Sequence, residues 1–181
     1  KRFLDGMSIA ASNSDKLLVI YQSSDKPIID FYKKKKWITF VGKLNSAKGY
    51  DLYGKAILRI LAKYPAWKGI VIGDEPRQKL LFNHSRLKKF GFLNHNKVLK
   101  IYSQSSIAVA CSRWNEPLGR TSLEASSRGC AVIISDRGGL PETFNNTLIL
   151  DTLDAPCLEK LMVRIIKNND FLKKIQKMNF A

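Results

Sequence analysis

The sequence predicts an α/β fold, a Rossmann-like doubly wound parallel sheet of about six strands with helices on both faces. Apolar runs of strand length alternate with longer runs of helical periodicity, which is typical of βαβ units. Several short runs are uniformly apolar, as expected for parallel strands that are covered on both faces. The 181 residues, 45% hydrophobic and 25% charged, are enough for a globular domain with its own core.

The predicted elements follow one another in a regular order. Strands are predicted at 17–21, 37–41, 70–72, 107–111, 131–135 and 147–150, and helices at 53–64, 98–102, 118–128, 157–167 and 171–178. The first helix stops before Pro65, and the third is closed by Gly129, where a left-handed cap is expected. In such sheets ligands bind where the carboxyl ends of strands lead into helices, so these loops are the candidate sites.

The charge of the chain is strongly positive. Lys and Arg number 31 against 15 Asp and Glu, a net charge of +16, which favours nucleotides, nucleic acid or an anionic membrane surface as partners. No stretch approaches about eighteen consecutive apolar residues, so no membrane-spanning helix is predicted. The three cysteines lack a Cys-x-x-Cys spacing, which favours reduced, buried thiols in a cytoplasmic protein over a disulfide framework or a zinc site.

The loop after the strand at 37–41 has the composition of a phosphate site. Gly42 lets the backbone approach a ligand, and Lys43 and Lys48 place two cations beside that approach, which suits a diphosphate. The spacing is not that of a P-loop, and no G-x-G-x-x-G fingerprint occurs in the chain. Taken alone, two lysines in a polar turn of a basic protein are surface residues about as often as not.

The loop after the strand at 107–111 carries a more specific pattern. Glu116 and Glu124 lie eight residues apart, which places them on roughly one face and about 10–12 Å from each other if the segment is helical. Pro117 is expected at or near the first helical turn, and Gly119 leaves a bare helix N-terminus that can meet an anion. This separation does not suit a hydrolytic pair and suits an elongated polyhydroxyl ligand with phosphates between the two carboxylates. Taken alone, Glu116 is better explained as a helix-start acid and Glu124 as a solvated side chain. Together with Pro117, Gly119 and the strand-loop-helix context, the two favour a ligand site.

Three further segments are ambiguous. The Gly138-Gly139 turn after the strand at 131–135 is equally compatible with the same cleft and with a plain βα connection. His84 and His95 lie in lysine-rich stretches without a nearby acidic cluster, so we interpret both as solvated surface and predict no metal site. The lysines at 33–36 are interpreted as a solvated connector.

These motifs resemble the C-terminal, donor-binding half of GT-B glycosyltransferases of the family 4 type. The resemblance covers about 37–150, and its best mark is the E-x7-E motif from Glu116 to Glu124. The segments 40–49, 71–74, 91–93 and 138–142 match in the expected order. The resemblance implies retaining, metal-independent transfer from a nucleotide-sugar without a cofactor, in cell-envelope polysaccharide or glycolipid synthesis. The implied localisation is cytoplasmic or peripheral on the inner face of the membrane.

The resemblance also implies a role for each matching residue. Lys43 and Lys48 would hold the diphosphate, although Lys43 stands where Arg is usual and so gives up a bidentate fork. Glu116 would bind the sugar hydroxyls and complete the catalytic set, and Glu124 would bind the ribose hydroxyls. The other implied donor-binding residues are Gly42, Asn115, Leu118, Gly119, Arg120 and, at the base pocket, Phe92 and Leu93.

The domain division follows from the same resemblance. Residues 37–181 would be the donor-binding domain, and residues 1–36, too few for an acceptor domain, would be an inter-domain segment or a remnant of that domain. Because the chain begins at Lys1, we expect a fragment that binds donor but transfers little without an N-terminal acceptor domain.

Two other functions are weighed against the transferase. A nucleic-acid-binding module is supported by charge alone, and no RNA- or DNA-binding signature is present, so nucleic acid is not expected as a partner. A nucleotide-sugar sensor without transfer activity would keep the same site. The lysines at 33–36, with Lys173, Lys174 and Lys177, could hold the protein to anionic lipid, although simple solubility explains them somewhat better.

Overall fold

The computed structural model describes residues 20, 22–143 and 148–181. Within these ranges six strands form one sheet: β1 (Lys35–Val41), β2 (Lys68–Ile72), β3 (Leu87–Lys89), β4 (Ser105–Ala110), β5 (Ala131–Ser135) and β6 (Ile149–Leu150). The helices of the described residues are α1 (Tyr50–Lys63), α2 (His95–Gln104), α3 (Arg120–Ser127), α4 (Ala155–Lys167) and α5 (Asn169–Phe180), with short 3-10 turns at Phe31–Lys33 and Leu140–Glu142.

The sheet has the topology of a doubly wound fold. Its strands are parallel throughout and lie in the order β3-β2-β1-β4-β5-β6. The order reverses between β1 and β4, and in open α/β sheets the crevice at this switch point is where ligands bind. The predicted fold class is confirmed, and the switch point lies between the two loops that the sequence singled out.

The arrangement of the core explains why the strand sequences are almost uniformly apolar. In β5, Ile133 packs with α1 and α4 on one face of the sheet, whereas Val132 and Ile134 pack with α2 and α3 on the other. Successive side chains of a strand point to opposite faces, so a strand with helices on both faces is apolar at every position.

Some element boundaries differ from the prediction. The strand predicted at 17–21 lies outside the described residues, apart from Ile20. β3 was missed because only one of its three residues, Leu87, is buried and the other two are exposed lysines at the edge of the sheet. Helix α3 begins at Arg120 rather than at 118, because its N-cap, Gly119, has a φ of 89°. Pro117 therefore precedes the helix instead of opening it.

The interpretation of the lysines at 33–36 as a solvated connector is wrong for Lys34. Its Nζ lies 2.8 Å from the carbonyl oxygen of Ser105, 2.7 Å from that of Arg128 and 3.2 Å from those of Tyr102 and Ser103, so its three N–H groups are shared among four acceptors. These carbonyls lie at the C-terminal ends of α2 and α3, where a cation is favoured by the unpaired oxygens and the helix dipoles. Burial lowers the pKa of Lys34.

The segment 22–34, which we call the strap, is fixed to α3 and α5. Arg128, which is buried, forms two 3.0 Å contacts with the carboxylate of Asp25, and Phe31 packs edge-to-face on Phe180 with ring centroids 5.7 Å apart. Lys173 donates to the carbonyl of Phe31. The boundary at residue 36 stays a prediction, but β1 begins at Lys35 and the strap packs on the domain that follows it.

Candidate functional site

Two neighbouring cavities open at the carboxyl ends of the central strands and share Val41 and Gly42. The β1–β2 cavity, of about 290 Å³, is lined by Val41, Gly42, Lys43, Ile72, Gly73, Asp74, Phe92, Leu93 and Val98. The β1–β4 cavity, of about 210 Å³, is lined by Phe40, Val41, Gly42, Lys48, Ala110, Ser112, Glu116, Arg120, Thr121 and Leu140. The first has mainly apolar walls, whereas the second combines a cation, a carboxylate and a helix start.

An ion pair occupies the β1–β4 cavity. The Nζ of Lys48 lies 2.5 Å from Oε1 of Glu116, and the two side chains are 33% and 15% exposed. Their loops are joined directly, because the backbone N–H groups of Arg113 (2.8 Å) and Trp114 (3.1 Å) donate to the carbonyl of Ala47. The cation and the carboxylate that the sequence assigned to phosphate and sugar therefore form an ion pair with each other.

The loop after β5 holds Glu116 in place. Gly139 donates its N–H to the carbonyl of Glu116 at 2.7 Å, and Gly138 forms an isolated parallel bridge with Glu116. Gly138 has a φ of 55°, and a Cβ there would lie 2.3 Å from the Glu116 carbonyl oxygen, so only glycine fits. Leu140 reaches the β1–β4 cavity. Of the two interpretations of this loop, the structure supports the one in which it faces the cleft.

The start of α3 lines the same cavity. Its N-cap, Gly119, offers no side-chain hydrogen bond, and Arg120 and Thr121 belong to the cavity wall. A helix start without a side-chain cap presents backbone N–H groups to a ligand, and these carry the positive end of the helix dipole. The bare N-terminus that the sequence predicted is confirmed, at Arg120.

Glu124 lines a different cavity from Glu116. It is 7% exposed and lines a third cavity of about 560 Å³ together with His95, Arg120 and strap residues from Gln22 to Asp25. Its Oε1 accepts hydrogen bonds from Nε of Arg120 and Nε2 of His95, both at 2.9 Å. The structure thus places the two glutamates in separate cavities, with Arg120 lining both.

One known protein family matches almost the whole of the described chain. The family model for glycosyl transferases group 1 matches residues 22–179. The chain belongs to this family. The group 1 domain is 26% identical over 162 residues to the putative glycosyltransferase YtcC of Bacillus subtilis (strain 168), which covers 79% of this chain and 39% of YtcC. The chain thus spans about two fifths of the length of that relative.

Solved structures share the fold of this group 1 domain. The C-terminal domain of a glycosyl transferase group 1 family protein (LpcC) from Francisella tularensis superimposes with a TM-score of 0.70 at 22% identity, over 82% of this chain and 85% of that domain. Anabaena HepE, solved in complex with UDP-glucose, superimposes with a TM-score of 0.77 at 18% identity, over 98% of this chain and 55% of HepE. At these identities the likeness establishes the fold.

The predicted site residues of the group 1 domain fall into four groups. Lys48, Glu116, Gly42 and Arg120 line the β1–β4 cavity, while Lys43, Phe92 and Leu93 line the β1–β2 cavity, so the two lysines lie in neighbouring cavities. Glu124 lines the cavity beside the strap. Asn115, Leu118 and Gly119 belong to the same loop but line none of the three cavities.

His95 lies at the surface, as predicted, with 52% of its side chain exposed. Its imidazole is also hydrogen-bonded to Glu124, a contact that the sequence analysis did not predict. The two residues lie 29 positions apart and meet only because α2 and α3 pack side by side. Ser112, Thr121 and Leu140 also line the β1–β4 cavity, although the sequence analysis did not predict them as site residues. Their position after the ends of strands could have indicated this role.

The remaining expectations concern metals, thiols and membranes. Among the described residues, no three His, Cys, Asp or Glu side chains come together in a group that could hold a metal ion, and no helix is long and apolar enough to cross a membrane. The three cysteines are unpaired; Cys111 and Cys130 are buried, and burial raises the pKa of their thiols to about 12 and about 11. Cys157 is only partly buried.

Proposed function

We propose that this domain binds a nucleoside diphosphate sugar and supplies the donor half of a GT-B glycosyltransferase of the family 4 type. The observation that carries the proposal is the Lys48–Glu116 pair in the cavity beside the bare start of α3. A lysine next to a helix N-terminus suits a diphosphate, and a carboxylate next to it suits sugar hydroxyls. Anabaena HepE, which shares this fold, was solved with a ligand of this class, UDP-glucose.

Each part of the proposed ligand is assigned to one of the three cavities. The base lies in the β1–β2 cavity against Phe92 and Leu93, whose apolar surface suits a flat ring, and Lys43 lines the same cavity. The diphosphate and the sugar lie in the β1–β4 cavity on Lys48 and Glu116. The ribose, which joins the base to the diphosphate, meets Glu124 in the third cavity, beside the strap.

The proposed chemistry is electrostatic. As the bond between sugar and diphosphate breaks, negative charge develops on the leaving diphosphate, and the ammonium of Lys48 and the N–H groups of α3 are already in place to stabilise it. We infer that these groups replace a metal ion and that transfer retains configuration. We propose that the acceptor is a cell-envelope polysaccharide or glycolipid, presented by an acceptor domain.

A thermal-shift panel of UDP-, GDP-, ADP- and dTDP-sugars tests the donor proposal. Ligand binding to the folded state raises stability by RT ln(1 + [L]/Kd), so the matching nucleotide-sugar at about 100 times Kd adds roughly 2.7 kcal/mol. The corresponding free sugars serve as controls and are expected to cause no shift. If none of the four stabilises the domain at millimolar concentration, the proposal fails.

Replacing Glu124 with Gln is expected to weaken nucleotide-sugar and free nucleoside diphosphate alike, by about fivefold. The amide keeps an acceptor oxygen but loses the charge, and a hydrogen bond to a charged group is worth about 1 kcal/mol more than one to a neutral group. Calorimetric titration of both ligands measures the change. Equal binding of free diphosphate by wild type and variant contradicts the ribose role.

Replacing Glu116 with Gln is expected to change the affinities for nucleotide-sugar and for free nucleoside diphosphate differently. The nucleotide-sugar loses a charged acceptor for its hydroxyls and binds about fivefold less tightly. Free nucleoside diphosphate binds at least as tightly as before, because Lys48 is released from its 2.5 Å ion pair. The same titration decides, and an equal loss for both ligands removes Glu116 from the sugar subsite.

The structure weakens the case for attachment to an anionic membrane, because two of the lysines that suggested it are not free to contact lipid. Lys34 and Lys173 are engaged with backbone carbonyls of the domain itself. Any attraction therefore depends on the exposed lysines beside them, each worth about 1 kcal/mol near an anionic surface. Sedimentation with anionic and neutral vesicles distinguishes lipid binding from simple solubility.

A further inference from the structure

The carboxylate of Glu124 is held from two sides by side chains of different helices. Arg120 donates from one turn earlier in α3, and His95 donates from the first residue of α2, each at 2.9 Å and each to the same oxygen, Oε1. A carboxylate oxygen has two lone pairs, so Oε1 is fully used. Among the described residues, Oε2 receives no hydrogen bond, which leaves it as the oxygen available to a ligand.

The two donors are not equivalent. The Arg120 side chain is 70% exposed and pairs with Glu124 at i,i+4, an arrangement that contributes little in water. The His95 side chain is 52% exposed, but it is attached to a helix start that is fixed: Asn94 caps α2 by accepting the N–H of Lys97 at 3.0 Å, and Val98 is buried in the core. The imidazole is therefore the contact that restricts the direction of the carboxylate.

We propose that His95 is a positioning residue for ribose recognition. It holds Oε1 of Glu124 so that Oε2 is presented to the ribose hydroxyls, and it does so without touching the ligand. The inference rests on the proposed function, because it takes Glu124 as the group that binds ribose.

The test compares a nucleoside diphosphate with its 2′,3′-dideoxy form, which lacks both ribose hydroxyls, by calorimetric titration. The pair is UDP and dideoxy-UDP unless the thermal-shift panel selects another base. In wild type, UDP is expected to bind at least about tenfold more tightly than the dideoxy compound, since a hydrogen bond to a charged group is lost. In His95→Ala, affinity for UDP is expected to fall about two- to tenfold while affinity for dideoxy-UDP stays the same. In His95→Gln, whose amide N–H can donate to Glu124, most of the discrimination is expected to return.

Controls separate this role from a general loss of structure. His84→Ala serves as the matched variant, because His84 lines none of the three cavities and accepts a hydrogen bond from the backbone of Arg86. It is expected to keep both affinities. If His95→Ala discriminates as well as wild type, the positioning role is overturned while the donor proposal stands. If wild type itself binds both compounds equally, or binds neither, the ribose assignment and this inference fall together.

Discussion

Replacing Lys48 with Ala is expected to lower affinity for a nucleoside diphosphate about 10- to 100-fold and to leave affinity for the nucleoside almost unchanged. Charge-assisted hydrogen bonds to phosphate are worth about 1.5–3 kcal/mol, and the substitution removes them. It also leaves the Glu116 carboxylate, 15% exposed, without its cation in the same cavity. An unpaired carboxylate repels a diphosphate, so both effects act in the same direction.

Two further variants sharpen this experiment. Lys55→Ala removes an exposed lysine of α1 and is expected to change neither affinity, which controls for the overall positive charge. The double variant Lys48→Ala with Glu116→Gln removes the repulsion and is expected to recover part of the diphosphate affinity. A Lys48→Ala protein that keeps the wild-type preference for diphosphate would remove Lys48 from the site.

Replacing Lys34 with Ala is expected to lower the free energy of unfolding by about 2–4 kcal/mol. The substitution removes all three N–H donors of the ammonium and leaves the carbonyls of Ser105 and Arg128 without the group that lies 2.7–2.8 Å from them. Unfilled volume also remains where the side chain passed, against Gly129. Urea unfolding followed by circular dichroism measures the change.

The neighbouring residue provides the matched control. The side chain of Lys33 is 85% exposed and, within the described part of the chain, its ion-pair partner is Asp30, at 3.4 Å, so Lys33→Ala is expected to change stability by less than about 0.5 kcal/mol. If the two variants unfold at the same urea concentration, the carbonyl contacts of Lys34 contribute nothing to stability.

Much of the fold and of the site is predictable from local patterns. β5 is apolar from Ala131 to Ile134 because both faces are covered, and that uninterrupted run is visible in the sequence. The loops after β1, β4 and β5 carry the glycines and charges of the cavities, and the rule that ligands bind at strand ends locates them. Lys48 and Glu116, 68 positions apart, were assigned to one ligand on this ground and form a 2.5 Å pair.

The remaining features depend on contacts that a sequence pattern does not contain. Lys34 stands in a run of four lysines, and only the packing of two helix ends around it distinguishes it from its neighbours. His95 pairs with a glutamate of the next helix, which a search for local clusters of acidic residues cannot find. β3 is recognisable only by its pairing with β2, because an edge strand of three residues has too few buried positions to show a period.

The most direct test of the donor site is a calorimetric titration of the wild-type domain, without added metal, with a nucleoside, its monophosphate and its diphosphate. The base is the one that the thermal-shift panel selects. If the cavity beside Lys48 and α3 holds phosphate, affinity rises in that order, and added magnesium does not change it. If the nucleoside binds as tightly as the diphosphate, or if the preference disappears on adding moderate salt as for exposed charges, the cavity is not a diphosphate site.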